Sequence, residues 1–265
     1  MKFGKRLKNQ VQETLPEWQD KFLSYKDLKK LVRLISSAPS SSDGSSESSE
    51  SRKAYLDFVY LLNAEINKFN SFFMEQEEDY IIRHKELQQR IPKVIATWGP
   101  NGTQPSEVDY REEMEEIRKD IVNFHGEMVL LENYSNINYT GLAKIIKKYD
   151  KRTGGLLRLP FIQKVLRQPF FTTDLVSKLV KECENTIEAV FPAIEEGDGR
   201  KGRSERETTM VAERSIFRNT VAALQTMQEM RRGSSTYSEF SLPPLNLTDS
   251  DLIQSLQLHS PIPIL

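Results

Sequence analysis

The chain holds a single cysteine, Cys183, among its 265 residues. One thiol cannot build an internal disulfide framework, and such scarcity suits a reducing compartment. Nothing beside Cys183 would activate a nucleophile, so it is expected to be a buried structural thiol. Histidine is nearly as scarce. His84, His125 and His259 are scattered and lack the i,i+4 spacing of a helical zinc pair. No Gly-rich phosphate loop ends in Lys-Ser or Lys-Thr, and Gly197-Asp198-Gly199 follows no strand pattern, so it reads as linker. The acidic pairs Glu77-Glu78 and Glu115-Glu116 lie in helical stretches, where adjacent carboxylates face different directions and serve solvation. A non-enzymatic role without metal or cofactor is therefore expected. The N-terminus has no apolar signal core, and no stretch approaches the roughly eighteen apolar residues of a membrane span. A soluble, intracellular protein is expected.

What the chain has in quantity is charge, 28% Asp, Glu, Lys and Arg against 38% hydrophobic residues, with a net charge of only −1. That mixture fits amphipathic helices with wide solvated faces, and no strand pattern or solenoid repeat has comparable support. Short helices are expected over residues 2–12, stopped before Pro16, and from about Leu23 to Ile35. Ser36 to Ser51 is dominated by serine and reads as a flexible linker. From about Arg52 to Ile91, Leu56, Val59, Asn63, Ile66, Asn70, Phe73, Glu77, Tyr80, His84, Leu87 and Ile91 alternate steps of three and four, closed by Pro92. After a turn at Trp98-Gly99-Pro100-Asn101-Gly102, Met114, Ile117, Ile121, Phe124, Met128 and Leu131 mark a partner helix from about Val108 to Tyr134. A separate lysine-bearing helix follows, capped by Asn138 or Thr140 and ended by Gly154-Gly155. Further helices are expected over Thr173 to Val190 and about Glu207 to Arg231, with a linker from Glu195 to Arg206 between them. The expected class is all-α: short N-terminal helices packed on a long antiparallel hairpin, additional C-terminal helices, and a disordered tail. Domain bounds of 1–165, with the linker 36–51 inside it, 166–232 and 233–265 follow.

At 100° per residue, Lys144, Lys147, Lys148 and Lys151 share one narrow stripe, opposite Leu142, Ile145, Ile146 and Tyr149. Like charges at i,i+4 oppose helix formation by a few tenths of a kcal/mol per pair, so helix stability does not explain the stripe. A docked polyanion would. The N-terminus adds Lys2, Lys5, Arg6 and Lys8, and a second helix carries Tyr25-Lys26-Asp27-Leu28-Lys29-Lys30, with Tyr25 and Lys29 on one face. Lys26 and Lys30 point away from that face and are secondary candidates for ligand binding. If these parts converge, the result is a compact, lysine-rich cup. Duplex DNA would favour a longer track with base-reading arginines or asparagines, so no direct nucleic-acid role is expected. Four to six charged hydrogen bonds, each about 1.5–3 kcal/mol net, would support the roughly 8 kcal/mol of micromolar binding. Orthophosphate is too small to touch so many lysines, so a densely phosphorylated small molecule fits best. A phosphoinositide-reading peripheral membrane module and a plain helical scaffold are the alternatives.

The ordered set Met1-Lys2-Phe3-Gly4-Lys5, Glu17-Trp18, Tyr25-Lys26-Asp27-Leu28-Lys29-Lys30 and Asn138-Tyr139-Thr140-Gly141-Leu142, running into the lysine stripe, resembles the plant stand-alone SPX-domain proteins over about residues 1 to 165. The resemblance implies a ligand, inositol hexakisphosphate or an inositol pyrophosphate. It implies a phosphate-binding cluster of Tyr25, Lys29 and Lys148, an adjacent lysine cluster of Lys144, Lys147 and Lys151, and a contribution from Lys2. It further implies that the liganded protein sequesters a MYB-coiled-coil transcription factor of the phosphate-starvation response, which gives an expectation of nucleus with some cytoplasm. The long helices and the serine linker leave room for helix exchange into a homodimer.

Overall fold

The computed structural model describes residues 3–37, 47–190 and 219–227. Its elements are helix α1 (Phe3–Gln12), a 3-10 turn (Pro16–Lys21), α2 (Tyr25–Ser37), α3 (Glu47–Trp98), α4 (Glu107–Thr153), α5 (Arg158–Val165), a second 3-10 turn (Pro169–Phe171) and α6 (Asp174–Val190). A last helix, α7, covers 219–227. No strand occurs among the described residues, and the all-α class stands.

The chain forms two compact units. The first comprises the described parts of Met1–Met74, Asn133–Thr173 and Thr226–Asn246. Here α3 and α4 pair antiparallel: Phe58 stacks on Tyr149 with ring centroids 5.2 Å apart, while Phe69 and Phe72, further along α3, meet Tyr134, further back on α4. The 3-10 turn inserts Trp18 against Phe72 and is followed by Phe22 against Tyr134. These large buried rings, with Leu7, Leu23, Leu28 and Val32, supply apolar area that offsets the ordering of the short N-terminal helices. The start of α2 is fixed by a buried carboxylate. Glu65 accepts the Ser24 backbone N–H at 2.9 Å and the Ser24 hydroxyl at 3.0 Å. Lys68 pairs with Glu65 and also donates to the Phe22 carbonyl at 2.9 Å, so the buried charge is matched.

The second unit comprises the described parts of Glu75–Glu132, Asp174–Gln225 and Leu247–Leu265. Leu87, Ile91 and Val94 of α3 and Met114, Ile117, Ile121, Phe124 and Met128 of α4 are buried there, with Val176, Leu179 and Cys183 of α6. Arg83 reaches Glu127, and Arg90 bridges Glu113, Glu116 and Asp120. His84 and His125 face Glu182 and Glu184 of α6, at 3.5 and 3.2 Å. Burial, helped by those two glutamates, pushes the Cys183 thiol up to about 12, as a structural rather than reactive thiol requires.

Several expected boundaries are corrected. Pro92 does not close its helix; α3 continues to Trp98. Pro92 and Gln88 are exposed, so the carbonyl deprived of its N–H partner is open to water, and buried Ile91 and Val94 hold the helix on both sides. The turn bonds begin only at Gly99, whose N–H meets the Ile95 carbonyl at 3.1 Å. The partner helix and the lysine-bearing helix are one continuous α4. Asn138 is therefore not a cap but a buried interior residue, and Thr140 lies mid-helix. Early in α3 the inward stripe is Ala54, Phe58, Leu62 and Ile66, while Leu56 is 59% exposed. The aromatic Phe58 outcompetes Leu56 for the core. The serine linker is narrower than expected, because α2 includes Ser36 and Ser37 and α3 begins at Glu47. Residues 38–46, the linker at 195–206 and the tail from 233 lie outside the described residues, as does the expected C-terminal helix except for 219–227.

Candidate anion-binding site

The site is built where α1, α2 and α4 meet in the first unit. Gly141 of α4 makes the approach possible. A Cβ there would stand 2.5 Å from Leu23 Cδ2 and 3.3 Å from Phe3 Cζ, so any larger residue would hold α4 away. Phe3 is the common platform. Its ring meets Tyr25 edge-on at 5.0 Å, and the Lys144 ammonium lies 5.7 Å from its centroid.

From this platform run two cationic rows. On α2 the i,i+4 series is Tyr25, Lys29, Arg33; on α4 it is Lys144, Lys148, Arg152. The rows face each other closely enough to alter proton affinity. Lys148 is held below the ordinary lysine value, first by partial burial and then by Arg152, Lys29 and Arg33. Lys144 is lowered by burial and then by Lys147 and Arg6. Burial raises the Tyr25 hydroxyl, which therefore remains a protonated donor. Arg152 Nη1 donates to the Ser36 hydroxyl at 3.4 Å, linking the open ends of the rows.

Among the described residues, no carboxylate pairs with Lys29, Lys144, Lys147, Lys148 or Lys151. The nearest acid along α4 is otherwise engaged: Asp150 accepts the backbone N–H groups of Leu157 and Arg158, each at 3.0 Å, and caps α5. Gly154, at φ +71°, ends α4 and lets the chain turn back toward that carboxylate.

Thus Tyr25, Lys29, Lys144 and Lys148 are gathered on one surface. Lys147 joins through its effect on Lys144, and Lys151 is exposed on the same α4 stripe. Lys26 and Lys30 are exposed, and Lys30 turns to Asp27 at 3.3 Å, outside the rows. Lys2 lies outside the described residues. Sequence reasoning left Arg33 and Arg152 unassigned and gave Arg6 no separate role. The signal was present for the first two, since each continues its row by one further i+4 step. Protonated lysines, arginines and a tyrosine hydroxyl can all donate to anionic oxygens, but none of them is placed as a nucleophile beside a base. Among the described residues no group of three or more His, Cys, Asp or Glu could hold a metal ion, and no helix is long and apolar enough to cross a membrane.

Comparison with known proteins gives a consistent set of relatives. The SPX domain profile matches residues 1–54 and 95–165, the segments that contain all the residues above. SPX domain-containing protein 3 of Arabidopsis thaliana is 62% identical over 266 residues, covering 100% of both chains. SPX domain-containing protein 3 of Oryza sativa subsp. indica is 55% identical, covering 97% of this chain and 93% of its own. SPX domain-containing protein 1 of Arabidopsis thaliana is 53% identical over 95% of this chain and 94% of its own. Among solved structures, the SPX domain of Chaetomium thermophilum glycerophosphodiester phosphodiesterase 1, in complex with inositol hexakisphosphate, matches with a TM-score of 0.54. Its sequence identity is 25%, over 72% of this chain and 99% of that one.

Proposed function

The chain belongs to the SPX-domain family in its stand-alone plant form, and from that premise we propose that it is a receptor for inositol polyphosphates or pyrophosphates that reports phosphate status. The observation that carries this reading is the pair of facing cationic rows around a tyrosine donor, with no carboxylate partner for their lysines among the described residues. A solvated surface would disperse these charges or pair them. Here Lys148 is crowded by three cations, an arrangement that a polyanion relieves. The inositol hexakisphosphate held by the related SPX domain of Chaetomium thermophilum is a ligand of the right chemistry.

The rows belong to different helices, and that gives the ligand mechanical leverage. Repulsion between Lys148 on α4 and Lys29 and Arg33 on α2 opposes their close approach. A polyphosphate between them turns that repulsion into attraction on both sides. The liganded state therefore holds α1 and α2 against α4 more firmly, and a partner that reads this arrangement binds better. The partner in this proposal is a MYB-coiled-coil transcription factor of the phosphate-starvation response, kept from DNA while phosphate is plentiful. Action in the nucleus, with some protein in the cytoplasm, goes with that role, and a fluorescent fusion tests it.

Titration calorimetry at near-physiological salt tests the receptor. Inositol hexakisphosphate or a pyrophosphate is expected to bind the wild type and not a Lys144/Lys147/Lys151→Ala variant that circular dichroism shows to be folded. Equal binding by both would remove the rows as the site. Capture of the factor's coiled coil, equally strong with and without ligand, would remove the switch.

A further inference from the structure

Ser36 stands in the last turn of α2, at the open end of the two rows. Its hydroxyl donates to the Arg33 carbonyl at 3.0 Å and accepts from Arg152 Nη1 at 3.4 Å. Arg33 precedes it by three residues, and Lys30 and Lys29 both lie about one turn further back. A basic residue three positions before a serine is what basophilic protein kinases select. The same two arginines, Arg33 and Arg152, are those that crowd Lys148.

We propose that Ser36 is a phosphorylation site for a basophilic kinase, and that phosphate placed there occupies Arg152 and Arg33 and competes with the polyphosphate ligand. The competition rests on the rows being the inositol polyphosphate site; the modification site does not. In the transfer a base of the kinase takes the Oγ proton and Oγ attacks the γ-phosphorus of Mg·ATP. The new Oγ–P bond forms as the bond from phosphorus to the β,γ-bridging oxygen breaks, and ADP leaves with that electron pair.

Two physical features favour the site. Ser36 lies in the last turn of α2, and helix ends fray at lower cost than helix interiors, so Ser36 can be presented in extended form. Once attached, the phosphate carries a charge of about −1.5 to −2 near neutral pH, and guanidinium groups bind it in paired, directional contacts. The C-terminal end of a helix is itself unfavourable for an anion, so the phosphate depends on Arg152 and Arg33 for its placement. In taking them it lowers the positive potential at Lys148 and Lys29, where the soluble ligand would sit.

The full chain is first incubated with Mg·ATP and the catalytic subunit of cAMP-dependent protein kinase as a basophilic probe. Ser204 and Ser234 also follow basic residues, so the label is assigned by peptide mapping. Labelling of Ser36, lost in Arg33→Ala, is expected. Failure to label Ser36 overturns the modification site. A chain with phosphoserine encoded at position 36 is then followed by phosphorus NMR across pH and titrated with inositol hexakisphosphate. The phosphate is expected to titrate lower than in Arg152→Ala, and affinity to fall by about tenfold or more relative to the unmodified chain. A phosphate that titrates identically in both overturns the Arg152 contact, and unchanged affinity overturns the competition. If the unmodified chain binds no inositol hexakisphosphate, the competition and the receptor reading fall together, while Arg33-dependent labelling of Ser36 still supports the modification site.

Discussion

The Asn138 side chain accepts the backbone N–H of Leu23 at 3.0 Å across 115 residues of sequence. Its amide nitrogen donates to the Tyr134 carbonyl at 2.9 Å, one turn back on α4. Asn138 is fully buried, so both bonds replace water rather than supplement it. Together with the Glu65 contacts to Ser24, this bond sets where α2 begins, and therefore where Tyr25 and Lys29 stand relative to Lys148.

Replacing Asn138 by leucine removes the acceptor and leaves the Leu23 N–H buried without a partner. The expected loss is about 1–3 kcal/mol, read as a lower urea midpoint with an unchanged slope. Affinity for inositol hexakisphosphate should fall as well, because the α2 row is displaced. A variant with wild-type stability would show that the 3.0 Å bond carries no weight.

Gly141→Ala tests the close approach directly. The added methyl group would meet Leu23 Cδ2 at 2.5 Å, and Leu23 is itself buried and cannot simply swing away. Overpacking of this kind costs about 1–3 kcal/mol. The displaced Phe3 would no longer support Tyr25 and Lys144, so weaker ligand binding is expected to accompany the stability loss. Full ligand affinity in a destabilised Gly141→Ala protein would separate the platform from the site.

How far these features could be read from the sequence depends on what kind of signal each one leaves. The inward residues of α4 keep a regular three-four spacing, and the lysines opposite Leu142, Ile145 and Ile146 do the same, so both were legible. Gly154 ends α4 as its sequence suggests. Asn138 misled because asparagine is a common helix cap, and only a tertiary partner 115 residues away makes it worth burying. Pro92 misled for a related reason: a proline on a wet helix face costs one hydrogen bond that water can replace. Arg33 and Arg152 were legible in principle. They extend the two rows, but nothing local shows that the rows face each other. Facing is a property of Phe3, Gly141 and Leu23 together, and no single stretch encodes it.

Tyr80 offers a test of packing without function. Its ring meets Phe124 edge-on at 5.5 Å, and its hydroxyl is buried with no hydrogen-bond partner. Burial, then the nearby Glu127 charge, pushes that hydroxyl well above the ordinary phenol value, so it stays neutral. Tyr80→Phe removes an unsatisfied polar group and keeps the ring. A gain of about 1 kcal/mol in unfolding free energy is expected. A loss of similar size would instead mean that an enclosed water satisfies the hydroxyl, and that removing it leaves the water stranded.

The crowding of Lys148 sets stability against ligand binding, and the sign follows from its titration. Its folded-state value is lowered, so as pH rises the folded chain releases this proton before the unfolded chain does. Between the lowered folded value and the ordinary lysine value of 10.5, the unfolded state binds more protons, and stability must rise with pH. Lys144, lowered by burial, Lys147 and Arg6, acts in the same direction. At neutral pH both lysines are charged, and their repulsion weakens the unliganded fold. Lys148→Gln should therefore stabilise the unliganded chain by a few tenths of a kcal/mol, the scale of exposed like-charge pairs. It should also flatten the alkaline rise in stability. The same substitution removes a charged donor to the ligand, and a loss of about tenfold in inositol hexakisphosphate affinity is expected from one such hydrogen bond. Thermal unfolding of both proteins from pH 7 to 10, with and without ligand, reads all three effects. If Lys148→Gln destabilised the free protein, or left the ligand-induced shift intact, Lys148 would be a structural residue and the rows would not act as opposed charges.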